Sequence, residues 1–142
     1  LKQHSSTIFF NTSIISSNYN ESDQIGIQGN EVEFVPKINF KSGYVLSFKK
    51  YSFRTQLTYI SSQFTDATNA IESNLSGVIG QIPEYTVLDI SGSYNWKRIR
   101  VEYGINNVLD KSYFTRRATG YPGPGIIPSP RRNFYLTLEL NF

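Results

Sequence analysis

Hydrophobic and polar residues alternate along six separate stretches of this chain, and the spacing typical of helices is absent. The last stretch shows the alternation most clearly. Its apolar residues, each followed by a more polar one, are Phe134, Leu136, Leu138, Leu140 and Phe142. A period of two places these side chains on one face of a β-strand. A strand of about 10 residues with one apolar and one polar face suits a membrane-spanning β-barrel.

The other five predicted strands cover about residues 5–18, 36–48, 53–59, 84–96 and 99–108. Two tight turns, Lys49-Lys50 and Lys97-Arg98, alternate with three long polar connections. These connections cover about residues 19–35, 65–83 and 109–130. Transmembrane barrels have this asymmetry, with short periplasmic turns at one end and long outer loops at the other. The pattern therefore predicts an antiparallel transmembrane sheet.

The aromatic residues provide a separate argument, because a meander of these strands sorts them into two belts. The belt at the periplasmic end contains Phe48, Tyr51, Phe53, Tyr94 and Trp96. The belt toward the other end contains Tyr59, Phe64, Tyr113, Phe114 and Phe134. Aromatic rings settle at both interfaces of a membrane. A soluble β-sandwich has no reason to sort its aromatic residues by strand end.

Composition excludes several classes of protein. The chain has 142 residues, no cysteine and a net charge of +3, and its basic residues are too scattered to indicate nucleic-acid binding. His4 is the only histidine, so no histidine-based catalytic triad or metal cluster is expected. Six strands are fewer than the roughly eight of the smallest membrane barrels. We therefore expect one domain, residues 1–142, that is part of a larger barrel.

A family resemblance rests on Asn106-Asn107-Val108-Leu109-Asp110-Lys111-Ser112-Tyr113-Phe114 and on the final strand. These segments resemble the C-terminal part of TonB-dependent outer-membrane receptors, although Val108 stands in the leucine region of the family's motif. Residues 29–36 resemble the family's lead-in to an earlier strand. The resemblance implies an all-β fold, an antiparallel transmembrane β-barrel of about 22 strands. This chain would supply about the last six strands, in the outer membrane of a Gram-negative bacterium.

The resemblance also implies a function and a set of partners. Receptors of this family import a ferric siderophore with energy from the TonB complex, which acts through an N-terminal plug that residues 1–142 do not contain. Outer-membrane lipid, lipopolysaccharide and the outer-membrane insertion machinery are further expected partners. The expected assembly signal for that machinery consists of Phe134, Leu136, Leu138, Leu140 and Phe142. No enzymatic activity, cofactor or metal site is expected.

The candidate ligand site lies in the last long connection. Residues 115–128 resemble the last outer loop of ferric-citrate-type receptors, and the arginines that flank it are Arg116, Arg117, Arg131 and Arg132. Guanidinium groups bind carboxylates bidentately and stay charged. Arg116, Arg117 and Tyr121 are therefore predicted to contact an anionic chelate such as ferric citrate. The alternatives are that the arginines contact lipopolysaccharide phosphates or only position the loop.

Four charged residues are predicted on the inner face of the barrel: Arg54, Arg100, Glu102 and Glu139. We expect them to pair with the plug or with groups on neighbouring strands. Two other functions fit the strand pattern. One is a small outer-membrane adhesin barrel. The other is a soluble carbohydrate-binding β-sandwich, which predicts that Leu136, Leu138 and Leu140 face a dry core.

Overall fold

The computed structural model describes residues 4–120 and 123–141. The strands, in chain order, are β1 (His4–Ile14), β2 (Ile38–Phe48), β3 (Tyr51–Ile60), β4 (Tyr85–Trp96), β5 (Ile99–Asn106), β6 (Phe114–Ala118), β7 (Gly125–Pro128) and β8 (Asn133–Leu140). Within these residues, no helix is long and apolar enough to cross a membrane.

Six of the strands form one antiparallel sheet in the order β1-β2-β3-β4-β5-β8. This arrangement confirms the six-stranded meander that the alternation predicts. The predicted first strand is too long, since β1 ends at Ile14 and not near residue 18. The remaining two strands, β6 and β7, pair only with each other inside the last long connection. The sequence pattern did not predict this two-stranded ribbon.

The two ends of the sheet differ. We call the end with the two tight turns, residues 49–50 and 97–98, the turn end. The opposite end, from which the connections 15–37, 61–84 and 107–132 extend, is the loop end. The register pairs Phe48 with Tyr51 and Tyr51 with Tyr94, and the two tyrosine rings stack with their centroids 4.6 Å apart. The predicted aromatic belt at the turn end is therefore confirmed.

The register also places the apolar side chains of neighbouring strands on one face. Leu140, Leu138 and Leu136 of β8 lie opposite Ile99, Val101 and Tyr103 of β5. On β8, Phe134, Leu136, Leu138 and Leu140 are 62–72% exposed. In the described part of the chain, the only other sheet is the β6–β7 ribbon at the loop end. The dry core expected for a soluble sandwich is therefore wrong, because nothing described here covers this apolar face.

The tightly packed part of the molecule lies at the loop end. The buried apolar residues are Ile27, Ile60, Ile82 and Val87. Two of them, Ile27 and Ile82, belong to the long connections, and Ile82 has no exposed surface. A single-layered sheet has no interior of its own, so apolar packing occurs where the connections fold over one another. The loops at this end are therefore ordered by a core of their own.

Candidate functional site

The three connections at the loop end form one packed unit, which we call the loop cluster (residues 15–37, 61–84 and 107–132). The first two connections join through the side-chain amide of Asn69. Its oxygen accepts a hydrogen bond from the Glu31 amide at 2.7 Å, and its nitrogen donates to the Glu31 carbonyl at 2.8 Å. The Phe34 amide also donates to the Phe64 carbonyl at 2.8 Å. The Asn69 side chain thus satisfies both backbone hydrogen-bonding groups of Glu31, as the backbone of a neighbouring strand would.

Arg117 joins the last connection to the second one. One terminal nitrogen donates to the Gly77 carbonyl at 2.8 Å, and the other donates to the Gln81 carbonyl at 3.0 Å. The guanidinium carbon lies 5.2 Å from the centre of the Phe114 ring. Arg117 is only 8% exposed, and the peptide carbonyls compensate part of the cost of burying its charge. This arginine therefore holds the β6–β7 ribbon against residues 77–81.

The close approach of these two connections depends on glycine. A Cβ atom at Gly77 would lie 3.3 Å from the Cα of Gly125, and Gly77 has a φ of 69°. A larger residue at position 77 would push the ribbon away and would strain the backbone. Gly77 therefore allows both the Arg117 hydrogen bond and the contact with the start of β7.

The turn after β5, residues 107–110, fixes where the last connection begins. The Asn107 amide donates to an Asp89 carboxylate oxygen at 2.8 Å, and the Asn107 side chain exchanges hydrogen bonds with both backbone groups of Lys111. Its side-chain nitrogen also donates to the Pro130 carbonyl at 3.3 Å. Asn107 is only 2% exposed. One side chain thus connects the beginning of the loop to its end.

Asp110 completes this connection from the other side of the turn. Arg131 donates to both carboxylate oxygens, from Nε at 2.9 Å and from a terminal nitrogen at 2.6 Å, and the Arg132 amide donates at 3.1 Å. The hydrogen bond from the Arg131 side chain and, to a smaller extent, that from the Arg132 amide lower the pKa of Asp110 from 3.8 to about 2. Asp110 therefore stays ionised and keeps both ends of the last connection together.

The four candidate arginines thus have different environments. Arg116 is exposed on β6, whereas Arg117 is buried beside it. Arg131 binds Asp110, and Arg132 donates from Nε to the Val108 carbonyl at 2.9 Å. Arg117, Arg131 and Arg132 thus each make hydrogen bonds within the loop cluster, and contact of Arg116 and Arg117 with a ligand stays a prediction. Tyr121 lies outside the described residues.

The polar face of the sheet carries the predicted inner-face charges. Arg100 and Glu102 form an ion pair with each other on β5, whereas the prediction placed their partners on the plug or on neighbouring strands. They border a shallow depression of about 360 Å³ that several serines and Tyr135 also line. Within residues 4–120 and 123–141, no group of three or more histidine, cysteine, aspartate or glutamate side chains is arranged to hold a metal ion.

The residues of the predicted assembly signal lie on the edge strand. Phe134, Leu136, Leu138 and Leu140 all face outward from β8, whose other edge has no partner strand among the described residues. Phe142 lies outside the described residues. The role of this row of side chains in assembly stays a prediction.

Sequence reasoning missed Asn69, Asn107 and Asp89 as residues that build the loop cluster. Asn69 and Asn107 have φ values of 55° and 51°. Asparagine tolerates this left-handed region better than other residues with a Cβ atom, which gives a sequence signal for a turn but not for a partner. The motif around Asn107 was visible in the sequence, whereas its partners in the fold were not.

A model of one protein family matches the chain. The family is described as TonB-dependent receptor-like, β-barrel, and the match covers residues 3–108, which is well over half of the chain.

Solved structures with a similar fold include the following three. The ferric citrate transporter FecA in its unliganded form has a TM-score of 0.86 and 23% identity over 96% of this chain and 21% of that one. The siderophore receptor PiuA from Acinetobacter baumannii has a TM-score of 0.75 and 20% identity over 95% and 19%. The ferric yersiniabactin uptake receptor FyuA from Yersinia pestis has a TM-score of 0.74 and 18% identity over 96% and 21%. The chain thus spans about a fifth of each of these proteins.

Proposed function

The chain belongs to the TonB-dependent receptor β-barrel family, and from this membership we propose that it forms wall, outer loops and closing strand of a ferric siderophore receptor. Proteins of this family are transport receptors, and the chain lies in the outer membrane of a Gram-negative bacterium. The observation that carries the proposal is the sheet itself, which has one exposed apolar face, one polar face and all long connections at one end. The family match favours this function over the small adhesin barrel.

In the proposed receptor, residues 1–142 provide about the last six of roughly 22 strands. Two features support this arrangement. The outer edges of β1 and β8 have no partner strand among the described residues, and open edges are costly in lipid. The solved neighbours are about five times longer than this chain. Coupling to the TonB complex is assigned to a plug domain elsewhere in the receptor, which the polar face of this sheet would contact.

We infer that the imported ligand is an anionic ferric chelate, with ferric citrate as the first candidate. Arg116 supports this inference because its guanidinium is exposed on the β6–β7 ribbon, and a carboxylate-rich chelate suits a guanidinium. Tyr121 is proposed as a second contact. Arg117 acts mainly by holding the ribbon, since direct contact with a ligand would require it to leave the Gly77 and Gln81 carbonyls.

Ligand titration of the complete receptor tests this proposal. We expect Arg116→Gln to weaken the binding of ferric citrate by about tenfold or more, because a charge-assisted hydrogen bond is lost, and Arg116→Lys to retain part of the affinity. Arg98→Gln removes a charge at the opposite end of the sheet and is the control, with unchanged affinity. Equal affinities of Arg116→Gln and wild type would remove Arg116 from the site. If the wild-type receptor does not bind ferric citrate but binds another ferric chelate tightly, that chelate would replace ferric citrate as the proposed ligand.

A further inference from the structure

The turn end of the sheet carries four positive charges and a group of aromatic rings. The two turns have the same design, with an aromatic residue followed by two basic residues: Phe48-Lys49-Lys50 and Trp96-Lys97-Arg98. All four basic side chains are exposed. Among the residues that the structure describes, none of the four takes part in an ion pair. We call these six residues, together with Tyr51 and Tyr94, the basic rim.

The backbone does not explain why lysine occupies these turns. Lys49 has a φ of 51° and Lys97 a φ of 53°, so both residues lie in the left-handed region. Two-residue hairpin turns favour glycine, asparagine or aspartate there, because a lysine Cβ crowds the neighbouring carbonyl oxygen at a cost of about 1–2 kcal/mol per residue. The same costly choice at the same position of both turns indicates that the positive charge itself is needed.

The side chains direct this charge toward the apolar side of the sheet. The ammonium group of Lys49 lies 5.3 Å from the centre of the Phe48 ring, and that of Lys97 lies 5.7 Å from a ring of Trp96. Phe48 and Trp96 belong to the apolar face and are 46% and 51% exposed. The cations therefore lie where that face ends, beside the rings that cover its border.

The two turns also stand at the same level along the sheet. The amide of Asn95, next to Trp96, donates to the Lys50 carbonyl at 2.9 Å, and the stacked Tyr51 and Tyr94 rings fill the space between the turns. Lys49, Lys50, Tyr51 and Tyr94 line an open depression of about 640 Å³. Charge, aromatic surface and a recess thus occur together at one membrane boundary.

We propose that the basic rim binds the phosphate groups of anionic phospholipids in the periplasmic leaflet of the outer membrane. The proposal rests on the membrane orientation in the proposed function. In that orientation, the apolar face meets the acyl chains, the aromatic rings lie at the interface, and the four cations reach the headgroup phosphates. An anionic lipid such as phosphatidylglycerol is preferred over a zwitterionic one, because only the former carries a net charge that complements the rim.

The test uses the complete receptor in lipid nanodiscs that contain equal amounts of phosphatidylglycerol and phosphatidylcholine. Native mass spectrometry then measures which lipid stays bound to the receptor after the receptor is released from the nanodiscs. The test variant is Lys49→Asn with Lys97→Asn, since asparagine suits the left-handed region and keeps the turns folded while two charges are lost. The control is Lys41→Gln with Lys111→Gln, which loses two charges away from the rim.

We expect wild type and the control to retain phosphatidylglycerol preferentially, and the rim variant to lose this preference by on the order of tenfold. An unchanged preference in the rim variant, or no preference in wild type, would overturn the proposal. Displacement of the bound lipid by inorganic phosphate at an equal phosphate concentration would mean a simple anion site and would overturn the assignment to lipid. Ferric citrate is also titrated on the same samples. A failure of the proposed ligand is therefore distinguished from a failure of the lipid proposal.

Discussion

Asparagine and aspartate suit the turn after β5 for two physical reasons. Asn107 and Asp110 both have a φ of 51°, where these residues are less strained than most others with a Cβ atom. Their short polar side chains also reach backbone groups near by, so the same residues satisfy the hydrogen bonds of the turn. The Asp110 amide donates to the Asn107 carbonyl at 2.8 Å, which closes the turn between them.

Replacement of Asn107 by alanine is expected to destabilise the receptor by about 2–4 kcal/mol. The change removes three partly buried hydrogen bonds to backbone groups of Lys111 and Pro130 and places alanine at a positive φ. Urea unfolding of the reconstituted receptor measures this free energy. Asn106→Ala is the matched control, because its side chain makes one exposed hydrogen bond to Asn133, and we expect a cost below about 1 kcal/mol. Similar costs for the two variants would contradict the role of Asn107.

The ion pair of Asp110 with Arg131 predicts a pH dependence of the last connection. Because the pKa of Asp110 falls from 3.8 to about 2 in the folded state, its stabilising effect is fully present above pH 4 and is lost as the pH falls through about 2. Hydrogen exchange of amides in residues 107–113, corrected for intrinsic rates, should therefore show weaker protection at pH 2 than at pH 6.

The variant Asp110→Asn distinguishes the protonation of Asp110 from nonspecific destabilisation by acid. It should exchange faster than wild type at pH 6 and change little between the two pH values, because no carboxylate is left to titrate. A pH response in Asp110→Asn as large as that of wild type would assign the effect to other carboxylates.

The sequence predicted the importance of this turn but not its role. Its motif is visible as a family resemblance, and Arg131 flanks the connection in which the sequence predicts a ligand site. The distant partners of Asn107 and Asp110, which are Asp89, Pro130 and Arg131, lie 18 to 23 residues away in the chain. No local periodicity encodes such a separation, so the structure was needed to show that the turn ties the two ends of one loop together.

At the scale of the strands, glycine and aromatic residues pair across the sheet. The ring of Phe9 lies over Gly43 on the polar face, and the ring of Tyr103 lies over Gly92 on the apolar face. A ring can cross a neighbouring strand only where that strand has no Cβ atom. Such pairs shield the glycine backbone and fix the register of the two strands.

The surroundings of these two glycines predict different costs of substitution. A Cβ atom at Gly43 would meet the Phe9 ring and also the Thr55 carbonyl oxygen at 2.7 Å, which is backbone and cannot rotate away. We expect Gly43→Ala to destabilise the barrel by about 1–3 kcal/mol in urea unfolding. At Gly92 the three atoms nearest to the new Cβ all belong to the Tyr103 side chain, which is 49% exposed and can turn toward lipid.

Gly92→Ala is therefore the control, with a cost below about 1 kcal/mol. The variant Phe9→Ala with Gly43→Ala tests the reason for the difference. It should remain destabilised, because removal of the ring does not move the Thr55 carbonyl. Full recovery of stability in this double variant would show that the ring alone causes the strain.

The strands of the large sheet could be predicted because each one carries its own period-two pattern. The β6–β7 ribbon could not, since its strands have only five and four residues, and β7 begins with glycine and ends with proline. Arg117 holds this ribbon through carbonyls that lie 36 and 40 residues earlier in the chain. Local sequence thus determines the strands that cross the membrane, whereas contacts between residues far apart in the chain determine the conformation of the loops.

At the scale of the whole molecule, the apolar face and the loop cluster are stabilised by different contacts. Most of the sheet exposes its apolar side chains, so the described sheet residues gain little from mutual burial on that face. Lipid is expected to cover them in the membrane. The buried residues at the loop end keep the long connections in place without lipid, which suits the proposed role of these connections in recognising a ligand in water.

This division of the two faces leads to a prediction on β8. Leu136 lies near the middle of the strand on the apolar face and is 68% exposed, and the next residue, Thr137, points to the polar face. We expect Leu136→Arg to block insertion of the complete receptor, at a cost of about 2–4 kcal/mol for arginine near the bilayer midplane. The measured quantity is the fraction of receptor that migrates as folded barrel in unheated gel samples of outer membranes.

Thr137→Arg is the matched control, because it introduces the same side chain one position away, on the face that borders water or the plug. Opposite effects of neighbouring arginines arise only if one face of the strand contacts lipid and the other does not. A large folded fraction in both variants would mean that Leu136 does not face lipid in the membrane. A small folded fraction in both would mean that β8 is packed on its two faces, as in a closed sandwich, and the orientation on which the ligand and lipid proposals depend would have to be abandoned.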